Sequence, residues 1–457
     1  MTGKPAPSRR RLLKQAAAGG SMAALAGGVA FAQAQAPAVL SGTNAGRKFR
    51  AWVTRAGSGS SVEELSLLPV QPRQVLVRVE ACAPCYTTIP GALGRTPAPA
   101  QRSGAPAPPN APRAQVQNHA AVGIVEEVGP QVKRVQAGDR VIIAGTSQCG
   151  QCYQCLHGDP DYCQFTFGGE QFPPYARAAD GTPVVAQAGV GGMAQLAVTT
   201  EEYLCPIFTN LPSAELSLLG DQLTSGFAAG MCRMRIEPGS DVVVFGAGPV
   251  GMGAVQSGRV MGATQVVVVE PIRYRREIAL KLGATLALDP NAEGMGLVER
   301  IRELCKGPTD RKFAGGHAWT TVGMASGARG SDFTIDTVGR DNAPPKVEKS
   351  PDPTGLLPMQ QAWECTRMGG HVMFMGLVQG NLSLPGTSVA LLGRTIHPGQ
   401  QGGFHMMRDI PRLVKLMERG LLDAKTMIQA TYSLDQSAQA CEDIANRTKL
   451  ATVVLMT

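Results

Sequence analysis

Hydrophobic positions change their rhythm about halfway along the chain. Between about residues 48 and 212 they fall in short alternating runs broken by Gly and Pro, as at residues 75–80 (Val-Leu-Val-Arg-Val-Glu) and 123–128 (Gly-Ile-Val-Glu-Glu-Val). Alternation with a period of two is the mark of half-buried strands. After about Leu223 continuous apolar runs alternate with helix-period segments. The runs at 241–245, 265–269, 286–289, 333–336 and 371–375 read as buried strands, and the segments at 250–261, 273–282, 298–305 and 357–368 as the helices between them. Such alternation buries both faces of a sheet, so the second part predicts a doubly wound parallel sheet and the chain an α/β protein.

Three segments break the pattern. Residues 91–113 are dense in Pro, Ala and Gly and read as an extended surface loop, while 308–330 and 341–353 read as insertions between sheet elements.

At 457 residues the chain has room for two or three domains. Its 44% hydrophobic and 17% charged content is that of an ordinary globular enzyme. Five of the eight excess positive charges come from Lys4, Arg9, Arg10, Arg11 and Lys14. The remaining +3, without a basic stripe or interleaved aromatics, excludes nucleic acid as the expected partner.

The N-terminus reads as an address. Ser8-Arg9-Arg10-Arg11-Leu12-Leu13-Lys14 carries a twin-arginine pair, followed by a weakly apolar run over 16–31. Ala30-Phe31-Ala32 and Ala32-Gln33-Ala34 offer small-x-small cleavage sites. An uncleaved membrane anchor is the alternative, but the run is short and weakly hydrophobic. Residues 1–34 are therefore expected to be a twin-arginine signal peptide, leaving an exported, periplasmic protein that does not span the membrane. This route resembles one for proteins that fold and load cofactors before crossing.

Two motifs carry chemistry. Cys149, Cys152, Cys155 and Cys163 have the spacing C-x2-C-x2-C-x7-C on one short loop. Two disulfides are the alternative, but C-x2-C pairs close small strained rings, whereas four thiolates suit one tetrahedral zinc ion. The second motif is Gly246-Ala247-Gly248-Pro249-Val250-Gly251, which leaves a strand and opens a helix, with Glu270 ending the next strand. The first glycine permits the turn, the second lets a pyrophosphate approach, and the third lets helix and strand pack. Glu270 can bind both adenosine ribose hydroxyls and repel a 2′-phosphate, which favours NAD(H). Arg273, Arg275 and Arg276 pull the other way.

With these motifs stand Val79-Glu-Ala-Cys-Ala-Pro-Cys85-Tyr-Thr87, His119-Ala-Ala-Val-Gly123, Gly138-Asp-Arg-Val141 and Asp221-Gln-Leu-Thr-Ser-Gly226. In this order, from about Arg50 to the C-terminus, the chain resembles the zinc-containing medium-chain alcohol dehydrogenases, with the class III-like, nicotinoprotein branch as the nearest type. The resemblance implies a GroES-like catalytic domain over 35–222, a Rossmann domain over 223–395 and a return of 396–457 to the catalytic domain. It implies two zinc ions per chain, one held by the four clustered cysteines and one by Cys85, His119 and Asp221 with a fourth position open. Thr87 would relay the alcohol's proton, and Arg275 would sit near the adenosine ribose of NAD(H). The expected substrate is a small-molecule alcohol or aldehyde, the expected assembly a homodimer or homotetramer. An exported enzyme meets little free NAD, so a nucleotide held as a prosthetic group and an external electron acceptor are expected.

Departures from the family pattern stand beside these expectations. Thr88 replaces an aspartate that would orient the histidine, Ala120 a glutamate, and Pro90 the relay histidine of some members. Read from the residues alone, Cys85 could instead pair with Cys82, His119 could be a buried loop histidine, and Asp221 a helix cap. Two other functions remain open: a catalytic-zinc-free reductase of carbonyls or activated alkenes, and a non-catalytic nucleotide-binding redox sensor.

Overall fold

Three sheets organise the chain, and in the computed structural model residues 44–55, 59–93, 114–167, 172–305 and 329–456 are described. The expectations for residues 1–34, for most of 91–113 and for most of 308–330 fall outside them. Five strands, Lys48–Arg55, Gly59–Leu67, Ala176–Ala178, Pro183–Ala186 and Ala114–Val116, close into a small barrel. Beside it lies a seven-stranded sheet centred on Gln74–Cys82, which pairs with Ala121–Val128 on one side and with Ala451–Leu455 on the other. The C-terminal strand thus returns to the first half of the chain.

The third sheet is wholly parallel, in spatial order Leu286–Leu288, Gln265–Val269, Asp241–Phe245, Ser331–Asp336, Thr366–Phe374 and Thr395–Pro398. Numbered along the chain this is 3-2-1-4-5-6, the doubly wound order whose switch point lies between Asp241–Phe245 and Ser331–Asp336. Valine dominates the central strands because both faces are covered.

One expectation is corrected. The helix expected to run to 368 ends at Cys365, because Thr366 is extended and opens a strand that runs to Phe374. A short sixth strand, Thr395–Pro398, completes the parallel sheet beside Thr366–Phe374.

One helix, Gln222–Ala228, joins the two halves. Its core neighbours include Val122 and Ile142 from the mixed sheet, Val244 from the parallel one and Met252 from the helix Pro249–Val260. A Cβ at Gly226 would lie 1.8 Å from Val250 O, so only glycine lets this helix touch Pro249–Val260 backbone to backbone. That contact brings Asp221, at the helix start, to the side of the glycine-rich turn.

Candidate active site

Cys85, His119 and Asp221 meet between the two halves, their ligand atoms all within 4.8 Å of one another. Asp221 sits between Ser217–Gly220 and Gln222–Ala228 with φ −154° and ψ −77°, and its side chain makes no cap hydrogen bond. Instead Oδ2 lies 3.0 Å from His119 Nε2. Burial disfavours charge on both, yet each outweighs it for the other: Asp221 and Cys85 raise the His119 pKa, and His119 lowers that of Asp221. One thiol, one imidazole and one carboxylate gathered this closely form a donor set that suits a divalent cation.

The loop bearing Cys85 is held from below by Asn118, which adopts φ 73°. Its Oδ1 accepts from Cys85 N–H at 3.3 Å, and its Nδ2 donates to Ala83 O and Ala120 O at 3.0 Å each. Gln222 Nε2 donates to Pro84 O at 3.0 Å. Thr87 Oγ1 lies 3.2 Å from Cys85 Sγ. Cys82 does not pair with Cys85; it is a free thiol buried in the core with Cys441.

Sequence reasoning missed Gln401. Its Nε2 donates to Asp221 Oδ1 at 3.3 Å, and its Oε1 accepts from Ser225 Oγ at 3.3 Å. It lies in the turn Gln400–Gly403, where Gly402 presses on the helix so closely that a Cβ would lie 2.3 Å from Ser225 O. Ala120 is buried, and Gly220 packs against its methyl, where a Cβ at Gly220 would approach to 2.8 Å.

The four clustered cysteines also converge, with sulfurs within 4.8 Å of one another and no disulfide among them. Cys149 Sγ, Cys152 Sγ and Cys163 Sγ each accept a backbone N–H at 3.4 Å. Four thiolates at this spacing repel one another unless a cation sits between them, so the donor set fits zinc. Arg233, in the turn Ala229–Met234 that continues the joining helix, ties this loop to it through Asp159 at 3.0 Å and the buried Asp161 at 2.6 Å.

A crevice of about 290 Å³ runs from Cys85 and Thr87 along the glycine-rich turn to Glu270 and Arg275. Gly246 has φ 86°, and a Cβ at Gly251 would lie 1.9 Å from Gly246 O, whereas one at Gly248 would meet nothing. The space beside Gly248 adjoins the N-terminus of Pro249–Val260, which no side chain caps. Its free N–H groups suit a diphosphate. Glu270 is buried and accepts from Ala247 N–H at 2.7 Å and Ile272 N–H at 3.0 Å, leaving lone pairs for ribose hydroxyls. Arg273 pairs with Glu277 and Arg276 with Asp289, while Arg275 bonds the Tyr274 hydroxyl at 3.2 Å on the crevice wall. A nucleotide fits these residues.

Comparison with known proteins agrees with this geometry. Residues 71–209 match the family described as alcohol dehydrogenase GroES-like domain, and 249–419 that described as zinc-binding dehydrogenase. The chain is 30% identical over 395 residues to a geraniol dehydrogenase of Castellaniella defragrans, covering 84% of this chain and 91% of that one. Its fold is similar to that of an alcohol dehydrogenase zinc-binding domain protein from Burkholderia ambifaria, at 27% identity and a TM-score of 0.73, covering 90% and 99% of the two chains. It is also similar to benzyl alcohol dehydrogenase from Acinetobacter calcoaceticus, at 23% identity and a TM-score of 0.71, covering 90% and 100%.

Proposed function

Because the chain belongs to the zinc-binding alcohol dehydrogenase family, we propose that it interconverts a small-molecule alcohol and its aldehyde, using a catalytic zinc and NAD(H). The observation that carries this reading is the convergence of Cys85, His119 and Asp221 at one end of a crevice whose other end is Glu270.

Cys85, His119 and Asp221 would hold one zinc, and Cys149, Cys152, Cys155 and Cys163 a second that braces the loop. When bound, the first zinc supplies Lewis acidity toward the alcohol oxygen and the nicotinamide supplies the hydride acceptor. The chain's residues do the rest. Thr87 Oγ1, facing the Cys85 sulfur, takes the alcohol's proton as the hydride leaves carbon. Pro90 has no acid–base group, so that proton passes onward through water or ribose hydroxyls. The N–H groups opening Pro249–Val260 hold the diphosphate, and Glu270 holds the adenosine ribose, its charge opposing a 2′-phosphate. Arg275 flanks the same ribose.

The twin-arginine segment supports export of the folded protein, and a periplasmic enzyme favours NAD(H) kept as a prosthetic group, with electrons leaving through a second substrate or external acceptor. The assembly is a homodimer or homotetramer. Metal analysis of the purified protein, with measurement of nucleotide released on denaturation after extensive buffer exchange, tests this reading. Two zincs and near one NAD(H) per chain are expected, with turnover needing an acceptor and no added NAD. One zinc per chain would favour a zinc-free reductase, and an empty protein active only with added NAD would defeat the prosthetic assignment.

A further inference from the structure

The strand Ser331–Asp336 does not lead directly into the next helix, Leu356–Cys365. Between them residues 341–353 form a loop whose neck closes where Asp341 N–H donates to Pro353 O at 2.7 Å. The loop is fastened to parts of the chain at both ends of the crevice. At the catalytic end Asp341 pairs with Arg447, whose guanidinium stands 5.4 Å above the Tyr86 ring. Ala343 N–H donates to the Tyr86 hydroxyl at 3.1 Å, and its methyl is buried in the core cluster that contains Cys441 and Ile444. Lys346 N–H donates to Asn446 O at 3.0 Å. At the other end Glu348 Oε1 accepts from Arg273 N–H at 3.3 Å, and Lys349 O accepts from Asn291 Nδ2 at 3.0 Å. Asp341, Asn342, Ser350 and Pro351 themselves form part of the crevice wall.

We propose that residues 341–353 are a strap belonging to the nucleotide site, clasped by Asp341, Arg447 and Tyr86, and that a bound nucleotide leaves only when this clasp opens. The inference rests on the nucleotide reading above and supplies what tight retention needs. Both partners of the Asp341–Arg447 pair are largely buried, with 12% and 14% of their side chains exposed. Separating them strands two charges in a poorly solvated place, which is far costlier than breaking a surface pair. Ala343 must leave its core position in the same motion. The fastenings join the loop to Tyr86, to the C-terminal segment and to the start of the helix Arg273–Leu282, so it cannot lift from one end alone. Nucleotide dissociation is therefore limited by strap opening rather than by the nucleotide's own contacts.

The test loads the full-length purified protein with NADH and follows its fluorescence after mixing with excess NAD. Asp341→Asn is expected to raise the dissociation rate at least tenfold. As a second measurement on the wild type, limited trypsin cleavage at the exposed Lys346 or Lys349 is expected to release bound NADH. Release within twofold of the wild-type rate in Asp341→Asn, together with retention by the nicked protein, would overturn the strap while leaving nucleotide binding intact. A wild type that binds no NADH would instead defeat the nucleotide reading, and the strap with it.

Discussion

Gln401 donates its amide to Asp221 Oδ1, the oxygen that Asp221 turns away from His119. Where family resemblance led one to expect carboxylates around the ligands, Thr88 bonds the Cys85 carbonyl at 2.9 Å and Ala120 is packed under Gly220. The orientation of Asp221 therefore falls to an amide delivered from far along the chain. An amide fixes the ligand without adding negative charge, so it holds a cation less strongly than a carboxylate would.

Gln401→Met keeps the length of the side chain and removes the donor. Zinc affinity at the site of Cys85, His119 and Asp221 is expected to fall about 10- to 100-fold, read by competition with a chromogenic chelator. A cobalt-substituted sample should show a shifted visible spectrum. Unchanged affinity and spectrum would reduce Gln401 to a packing residue.

The two proposed metals should separate by mutation. Cys152→Ser is expected to lose one zinc and to lower the melting temperature, since metal binding at such a loop is coupled to folding. His119→Ala is expected to lose a different zinc and all alcohol oxidation while still binding NADH, because Glu270 and the glycine-rich turn lie on the parallel sheet. Metal counts that do not fall by one in each variant would contradict the assignment.

Asp336, at the end of the fourth parallel strand, is fully buried, and burial pushes its carboxyl up to about 8 against the opposing hydrogen bonds from Val338 and Gly376. In the unfolded chain it would lose its proton near pH 4. Between these values the folded state binds more protons, so its contribution to stability is full below about pH 4 and is lost as the pH rises toward 8. Asp336→Asn should flatten that slope. Urea unfolding at pH 5 and pH 8 is expected to show a smaller difference in the variant, with the variant gaining relative to the wild type at pH 8. Parallel slopes would show that Asp336 is ionised throughout.

Much of the parallel sheet was legible because its signals are local. The valine runs at 241–245 and 265–269 and the segment 273–282 fold as the elements expected over those residues. The sixth strand was not legible: Thr395–Pro398 is short, largely exposed and unlike a buried run, and only its neighbour Thr366–Phe374 makes it a strand. At the site, cysteine and glycine spacings could be read directly, whereas Cys85, His119 and Asp221 became a set only through resemblance, being scattered over more than a hundred residues. Gln401 and the fastenings of residues 341–353 left no signal. Each is one polar atom meeting another across a long sequence separation, with no period to betray it.

None of the eleven cysteines is joined to another, and outside the clustered four only Cys232 is not buried. Burial pushes the thiols of Cys205, Cys365 and Cys441 up to about 12, which keeps them from forming the reactive thiolate. In the folded protein these three thiols are thus shielded from an oxidising compartment, while the same chain unfolded would present eleven thiols to random crosslinking. On the export route proposed above, the order of events decides the outcome. A chain that folds in reducing surroundings and crosses intact keeps its sulfur chemistry in the reduced state, and one that crossed as an extended thread would be trapped in mispaired forms before its metal sites could assemble.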